Sequence, residues 1–245
     1  MRINENVYED NTDSFSRFLA STYLHLFLGL LLTGAVAYFG YGLLMSLYAS
    51  FMGMFIVMAL QLGLCFYFSS RLMTMSKTTA MFCFYMYSFI TGVTLSYVPL
   101  LYDGASLALA VLITAAVFGS MAVIGYTTNT DLSKFGSYFV VGLFAIIIAT
   151  VINGLFIHSA GIDMFITYGA IIVFLGLVAY DMQKLRTFYA SSINDDEMST
   201  KMALFGAFEL YLDFINLFIY ILRIFGMKGC CCENRTISTS DSRNL

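Results

Sequence analysis

Seven stretches of about 20 apolar residues follow one another along this 245-residue chain, and their repetition restricts the fold more than any other feature. A helix needs about 20 residues to cross a hydrocarbon core of roughly 30 Å. Within lipid every backbone N–H and C=O must find its partner inside the chain, so runs of this length can only be helices. The stretches are Phe18 to Tyr41, Leu47 to Phe68, Ala80 to Leu101, Ser106 to Tyr126, Phe135 to Ile157, Met164 to Asp181 or a turn beyond, and Met202 to Phe225. Between them only the link 182–201 is conspicuously polar, too short for a soluble domain. The expected architecture is all-α: a polytopic membrane bundle of seven transmembrane helices over residues 18–226, between an N-terminal tail 1–17 and a polar C-terminal tail 227–245.

Composition agrees. Apolar residues make up 60% of the chain and charged residues 11%, against about a quarter charged in an ordinary soluble domain. The net charge of -3 is small and its carriers are scattered, so no basic surface exists to neutralise phosphates and nucleic acid is not an expected partner. Cys65 and Cys83 lie inside apolar runs and Cys230, Cys231 and Cys232 stand together in the tail, which is neither a disulfide framework nor a zinc spacing. Beside Lys228 the three tail cysteines are candidates for lipidation if the tail is cytoplasmic in a eukaryote; the alternative is a free reduced tail. The acids Glu5, Glu9, Asp10 and Asp13 and the length of the first apolar run argue against a cleaved signal.

Lysine and arginine in short links set orientation. Arg2 and Arg17 in the N-terminal tail, Arg71 and Lys77 in the second link, Lys134 in the fourth, and Lys184, Arg186 and Lys201 in the sixth all fall on one side. The first, third and fifth links carry none, so the N-terminus is expected in the cytoplasm. Arg223, Lys228, Arg235 and Arg243 pull the other way, since they would return the tail to the cytoplasm and make the last segment re-entrant. Its 24 residues are long enough to cross, and a full crossing is expected.

An ionisable side chain inside a span costs roughly 2.5–3.5 kcal/mol on insertion scales. Asp181 closes the sixth span, while Glu209 and Asp213, four residues apart on one helix face, lie in the seventh. With the N-terminus inside, Asp181 and Asp213 both belong to the cytoplasmic half, and Arg71 at the end of the second span lies at comparable depth. Two acids and one base can therefore meet. Carboxylates in contact in a low-dielectric site lose their protons in two separated steps, which makes such a cluster a proton-sensitive latch. The bland alternative is an Asp213 bonded to a neighbouring helix and an Asp181 solvated beside Lys184. Tyr180 and Tyr211 are possible donors to the acids, and Asn153 and Asn216 read as interhelical hydrogen-bonding residues. His25 reads as an interior histidine and His158 as part of an outer link; two histidines at opposite faces do not make an intramembrane zinc hydrolase, and no enzyme is expected. Pro99 marks a kink near the outer end of the third span.

The segments Ala179-Tyr180-Asp181-Met182-Gln183 and Gly206-Ala207-Phe208-Glu209-Leu210-Tyr211-Leu212-Asp213-Phe214-Ile215-Asn216-Leu217-Phe218 resemble the signature segments of the Bax inhibitor family, the transmembrane Bax inhibitor motif proteins. Thr130-Asp131-Leu132-Ser133-Lys134-Phe135-Gly136 resembles that family's polar link. The resemblance implies a seven-helix bundle with a central C-terminal helix and a calcium leak gated by pH through an aspartate pair. Asp181 and Asp213 match that pair, and Arg71 matches the family's second-span arginine. Met182 stands where relatives often have a small polar residue, and Glu209 is an added acid. Calcium takes six to eight oxygen ligands; two or three carboxylates supply too few for storage, so the ion is transported or weakly bound, with no other cofactor. The alternative is a membrane-embedded regulator that binds a protease or a cell-death or stress-pathway partner through its surfaces. The short N-terminal tail is similar to that of bacterial members, which implies a bacterial inner membrane.

Overall fold

The computed structural model describes residues 2–40, 51–128, 130–193 and 195–240, with side chains described from Ser14 to Phe225 apart from those gaps and positions 51 and 54. The described residues are almost wholly helical: α1 (Arg2–Phe39), α2 (Phe51–Arg71), α3 (Lys77–Leu95), α4 (Val98–Leu101), α5 (Gly104–Thr127), α6 (Ser133–Ile152), α7 (Ala160–Ala190) and α8 (Asp196–Ser240). Apart from the one-turn α4, these are the seven expected helices. Six segments are long and apolar enough to span a membrane: Ser14–Phe39, Lys77–Leu101, Gly104–Thr127, Ser133–Ile157, Ala160–Ala190 and Asp196–Phe225. The seventh is α2, of 21 residues, whose expected beginning at Leu47 lies outside the described residues, as does the end of the C-terminal tail after Ser240.

Local chemistry sets the boundaries. Ser76 caps α3 by accepting from the Thr79 N–H at 3.3 Å, and Asp103 caps α5 by accepting from the Ser106 N–H at 3.0 Å. Pro99 stands in the first turn of α4, where its missing N–H leaves nothing unsatisfied, so the expected kink is a clean break after Leu95. α6 ends in a π-turn, Asn153–Ile157, closed by His158 in the left-handed region at φ 54°. Asn153 braces that turn rather than a neighbouring helix: its amide donates to Ser159 O and its Oδ1 accepts from the Ser159 N–H, at 3.2 and 3.1 Å.

The polar link expected over 182–201 is mostly helix, and so is the stretch from Arg2 to Arg17, which holds neither glycine nor proline. α7 passes Asp181 for nine further residues because Val178, Met182 and Leu185 continue one buried apolar face, at 0, 3 and 1% exposure. α8 starts six residues after α7 ends, capped by Asp195, whose Oδ1 accepts from the Glu197 and Met198 N–H groups at 2.9 and 3.0 Å. Asp196 and Glu197 add negative charge where the helix dipole favours it.

The helices form two compact units, the first made of Met1–Leu101 with Asp181–Leu212 and the second of Tyr102–Tyr180 with Asp213–Leu245. In the first unit α1 lies close against α3. A Cβ added at Gly92 would stand 2.7 Å from both Thr33 O and Val36 Cβ, so only glycine allows this approach. Around it an aromatic cluster fills the interior: Phe208 has ring centroids 4.8 Å from Phe68 and 5.0 Å from Tyr87, and Tyr211 packs on Phe84 at 5.9 Å. In the second unit Gly125 of α5 sits against the backbone of Ala179 on α7, Gly136 of α6 lies under the Tyr180 ring, and Phe118 meets Phe214 at 5.4 Å. Of the most apolar stretch of α3 and of α8, 61% is buried, against 11% for α6. α8 supplies residues to both units and buries most of its apolar stretch, whereas α6 leaves most of its own exposed.

Candidate functional site

Asp181 lies within α7, not at its end, and is 8% exposed. Asp213 lies in the middle of α8 and is 5% exposed. α7 passes from the second unit to the first between Tyr180 and Asp181, and α8 passes from the first to the second between Leu212 and Asp213. Both residues interact with neighbouring residues. Arg71 is the last residue of α2, with an exposed side chain. The Asp181 face of α7 continues one turn later at Lys184, and the Asp213 face of α8 begins one turn earlier at Glu209.

Within the first unit those two outlying residues meet. Lys184 Nζ donates to Glu209 Oε1 at 2.6 Å, a short charge-assisted bond. The side chains are 31 and 19% exposed. The ammonium also stands over the rings of Phe188 and Phe205, 5.1 and 5.9 Å from their centroids. Glu209 Oε2 is buried and accepts no hydrogen bond from any described residue. By sequence Glu209 is an added acid and Lys184 only a solvent-side neighbour of Asp181; the signal for the pair was that each lies about one turn from an aspartate, three residues from Asp181 to Lys184 and four from Glu209 to Asp213, on consecutive helices.

Tyr211, a possible donor to the acids by sequence, points elsewhere. Two residues from Asp213 it faces the opposite side of α8. Its hydroxyl is 2.6 Å from Thr33 Oγ1, which also bonds Ser88 O at 2.9 Å, and the hydroxyls of Ser88 and Thr91 complete its surroundings. The network continues through Gln61 of α2, which donates to Thr91 Oγ1 at 3.2 Å and accepts from Thr94 Oγ1 at 3.0 Å. These groups are uncharged and bonded to one another, so they fix the packing of α1, α2, α3 and α8. His25, as expected of an interior histidine, is 8% exposed and its Nδ1 lies 2.8 Å from the Tyr85 hydroxyl; His158 is exposed.

Among the described residues no three His, Cys, Asp or Glu side chains gather to hold a metal ion.

Residues 15–230 match the family model described as inhibitor of apoptosis-promoting Bax1. The chain is 37% identical over 218 residues to the inner membrane protein YbhL of Escherichia coli, covering 86% of this chain and 92% of YbhL. It is 38% identical to the protein RP147 of Rickettsia prowazekii, over 88% of this chain and 92% of that one. A Borreliella burgdorferi protein is equally similar at 38%, over 87 and 93% of the two chains.

Proposed function

The chain belongs to the Bax inhibitor family, and on that premise we propose that it is a pH-sensitive calcium leak in which Asp181 and Asp213 carry the ion and sense the proton. The observation that carries the reading is the burial of both aspartates inside apolar, membrane-length helices, at 8 and 5% exposure. An acid at such a depth is expensive, and a role in passing cations is the common reason for one. A carboxyl group at such a depth that takes up a proton no longer holds a cation, which would tie occupancy by calcium to occupancy by protons. Arg71, from the end of α2, is assigned the counter-charge of the closed state, and Glu209 a supporting carboxylate one turn from Asp213.

The proposed location is a bacterial inner membrane, in keeping with the name of the Escherichia coli relative. The proposed orientation puts the N-terminus in the cytoplasm, in keeping with the lysines and arginines of the even-numbered links. Calcium efflux from proteoliposomes between about pH 5 and 8, for the wild type, Asp181→Asn and Asp213→Asn, tests the function. A pH-dependent flux that either substitution alters is expected. Flux equal to that of empty liposomes at every pH would discard the leak and favour a membrane-embedded regulator acting on a protease or stress-pathway partner through its surfaces.

A further inference from the structure

A lysine is rarely buried unless its ammonium is paired, because an unmatched charge away from water is costly. Lys201, in the second turn of α8, is only 7% exposed. Within the first unit its ammonium reaches the turn between α2 and α3 and donates to Met75 O at 3.3 Å. One turn earlier on the same face of α8, Glu197 Oε1 lies 3.7 Å from that ammonium and accepts from the Lys77 N–H at 3.3 Å. Two side chains of α8 thus hold the turn by its backbone, one at a carbonyl and one at an N–H.

The turn carries that hold back to Arg71. Arg71 O accepts from the N–H groups of Thr74 and Met75 and from the Thr74 hydroxyl, each at 3.0 Å. The Leu72 N–H donates to Phe68 O at 3.1 Å, so the ladder of α2 runs on into the turn, and Leu72 and Met75 are buried. Met75 O stands one residue ahead of the Ser76 cap. The first bond of α3 goes to Ser76 O, from the Ala80 N–H at 3.0 Å, and among the described residues the donor to Met75 O is Lys201. A carbonyl four residues after Arg71, in the same hydrogen-bonded turn, is therefore placed from α8. The Arg71 side chain is exposed, so its position depends on the backbone that bears it.

We propose that Lys201, with Glu197, is a positioning residue for Arg71: the two side chains seat the α2–α3 turn on the start of α8 and so fix where the Arg71 counter-charge stands in the first unit. The inference rests on the leak reading for what Arg71 does. The positioning itself is a distance and is measured without flux.

The test joins a distance to a flux, both on the full-length protein. Spin labels at Met73 in the turn and Ile193 ahead of α8, both exposed, in a background without other cysteines, are expected to give one narrow distance distribution. Lys201→Met keeps the apolar stem and removes the donor, and is expected to broaden that distribution; Lys201→Arg, which keeps a donor, restores it. An unchanged distribution in Lys201→Met overturns the proposal. If Lys201→Met does not fold, Glu197→Ala, which removes the second tie at an exposed residue, takes its place with the same two outcomes. In proteoliposomes at one fixed pH, Lys201→Met is expected to raise resting calcium flux about fivefold, the low end of ordinary coupling between sites. Lys201→Arg returns it to the wild-type level, and the Arg71→Gln/Lys201→Met double variant leaks no more than Arg71→Gln alone. Effects that multiply in the double variant overturn the proposal, since Lys201 would then act apart from Arg71. Absence of wild-type flux beside the expected distances would remove the leak and leave the seating of the turn standing.

Discussion

The guanidinium of Arg223 donates to Asp163 Oδ1 at 3.0 Å, tying the later part of α8 to the first turn of α7. Arg223 lies 27 residues beyond Asp196, the first residue of α8, in a helix without a break. α7 is itself 31 residues long and apolar enough to span a membrane. At Arg223, then, α8 has come back alongside the start of α7, the arrangement expected if the last segment crosses fully. The Tyr220 ring, 5.5 Å from the guanidinium, adds a cation–π contact.

The first prediction is therefore topological. If the last segment crosses fully, Cys230, Cys231 and Cys232 lie outside, and in a variant lacking Cys65 and Cys83 an impermeant maleimide added to right-side-out vesicles is expected to label them without permeabilisation. Labelling that requires permeabilisation would put the tail back in the cytoplasm.

The hydroxyl pair Thr33 and Tyr211 joins α1 to α8 in the first unit. Interhelical hydrogen bonds in membranes contribute about 0.6 kcal/mol on average and up to about 1.7. Tyr211→Phe is expected to destabilise within that range, because the aromatic packing on Phe84 and Tyr87 is kept. Thr33→Val, which removes the bonds to both the Tyr211 hydroxyl and Ser88 O, is expected to lose more. Reversible unfolding in detergent mixtures reads both; equal losses would show that the Ser88 carbonyl does not depend on Thr33.

Glycine makes the approach of α1 to α3 possible. Gly92→Ala would press its methyl against Thr33 O and Val36 Cβ, both at 2.7 Å, and the backbone oxygen cannot swing aside. A loss of about 1–3 kcal/mol is expected for such overpacking. Gly119→Ala, where nothing lies within 4 Å, is the control and should be neutral or slightly stabilising through helix propensity. A neutral Gly92→Ala would mean that the two helices separate easily.

At the start of α5, the hydroxyl and N–H of Ser106 hold the Asp103 carboxyl below the usual carboxylate range. A group depressed in the folded state contributes fully above its unfolded value of about 3.9 and loses that contribution as pH falls through the folded value. Asp103→Ala is expected to lower the unfolding temperature modestly, by the same amount throughout about pH 5 to 8. A gap that changes within that window would mean that another group titrates with the cap.

Asp181 and Asp213 were legible as candidates because charge is conspicuous in an apolar run, and the signature around each is specific. The Lys184–Glu209 and Arg223–Asp163 pairs were not, since each joins residues on separate helices whose rotation about their axes the sequence leaves free. The direction of Tyr211 was missed for the same reason: only the position of α1 shows that Thr33, and not an acid, receives its hydroxyl.

Sequence by itself determined that this chain is helical and spans a membrane several times, because the absence of water in the bilayer leaves long apolar runs no other way to satisfy their backbone. It also pointed to the family, through the signature segments around Asp181 and Asp213. Tertiary structure alone decided where α7 and α8 end, which faces they bury and which opposite charges meet. Such pairings depend on distances of a few ångströms between helices far apart in the chain. A hydropathy pattern fixes that a helix crosses, but lipid is as apolar as a neighbouring helix, so only packing and hydrogen bonding choose the face it turns inward.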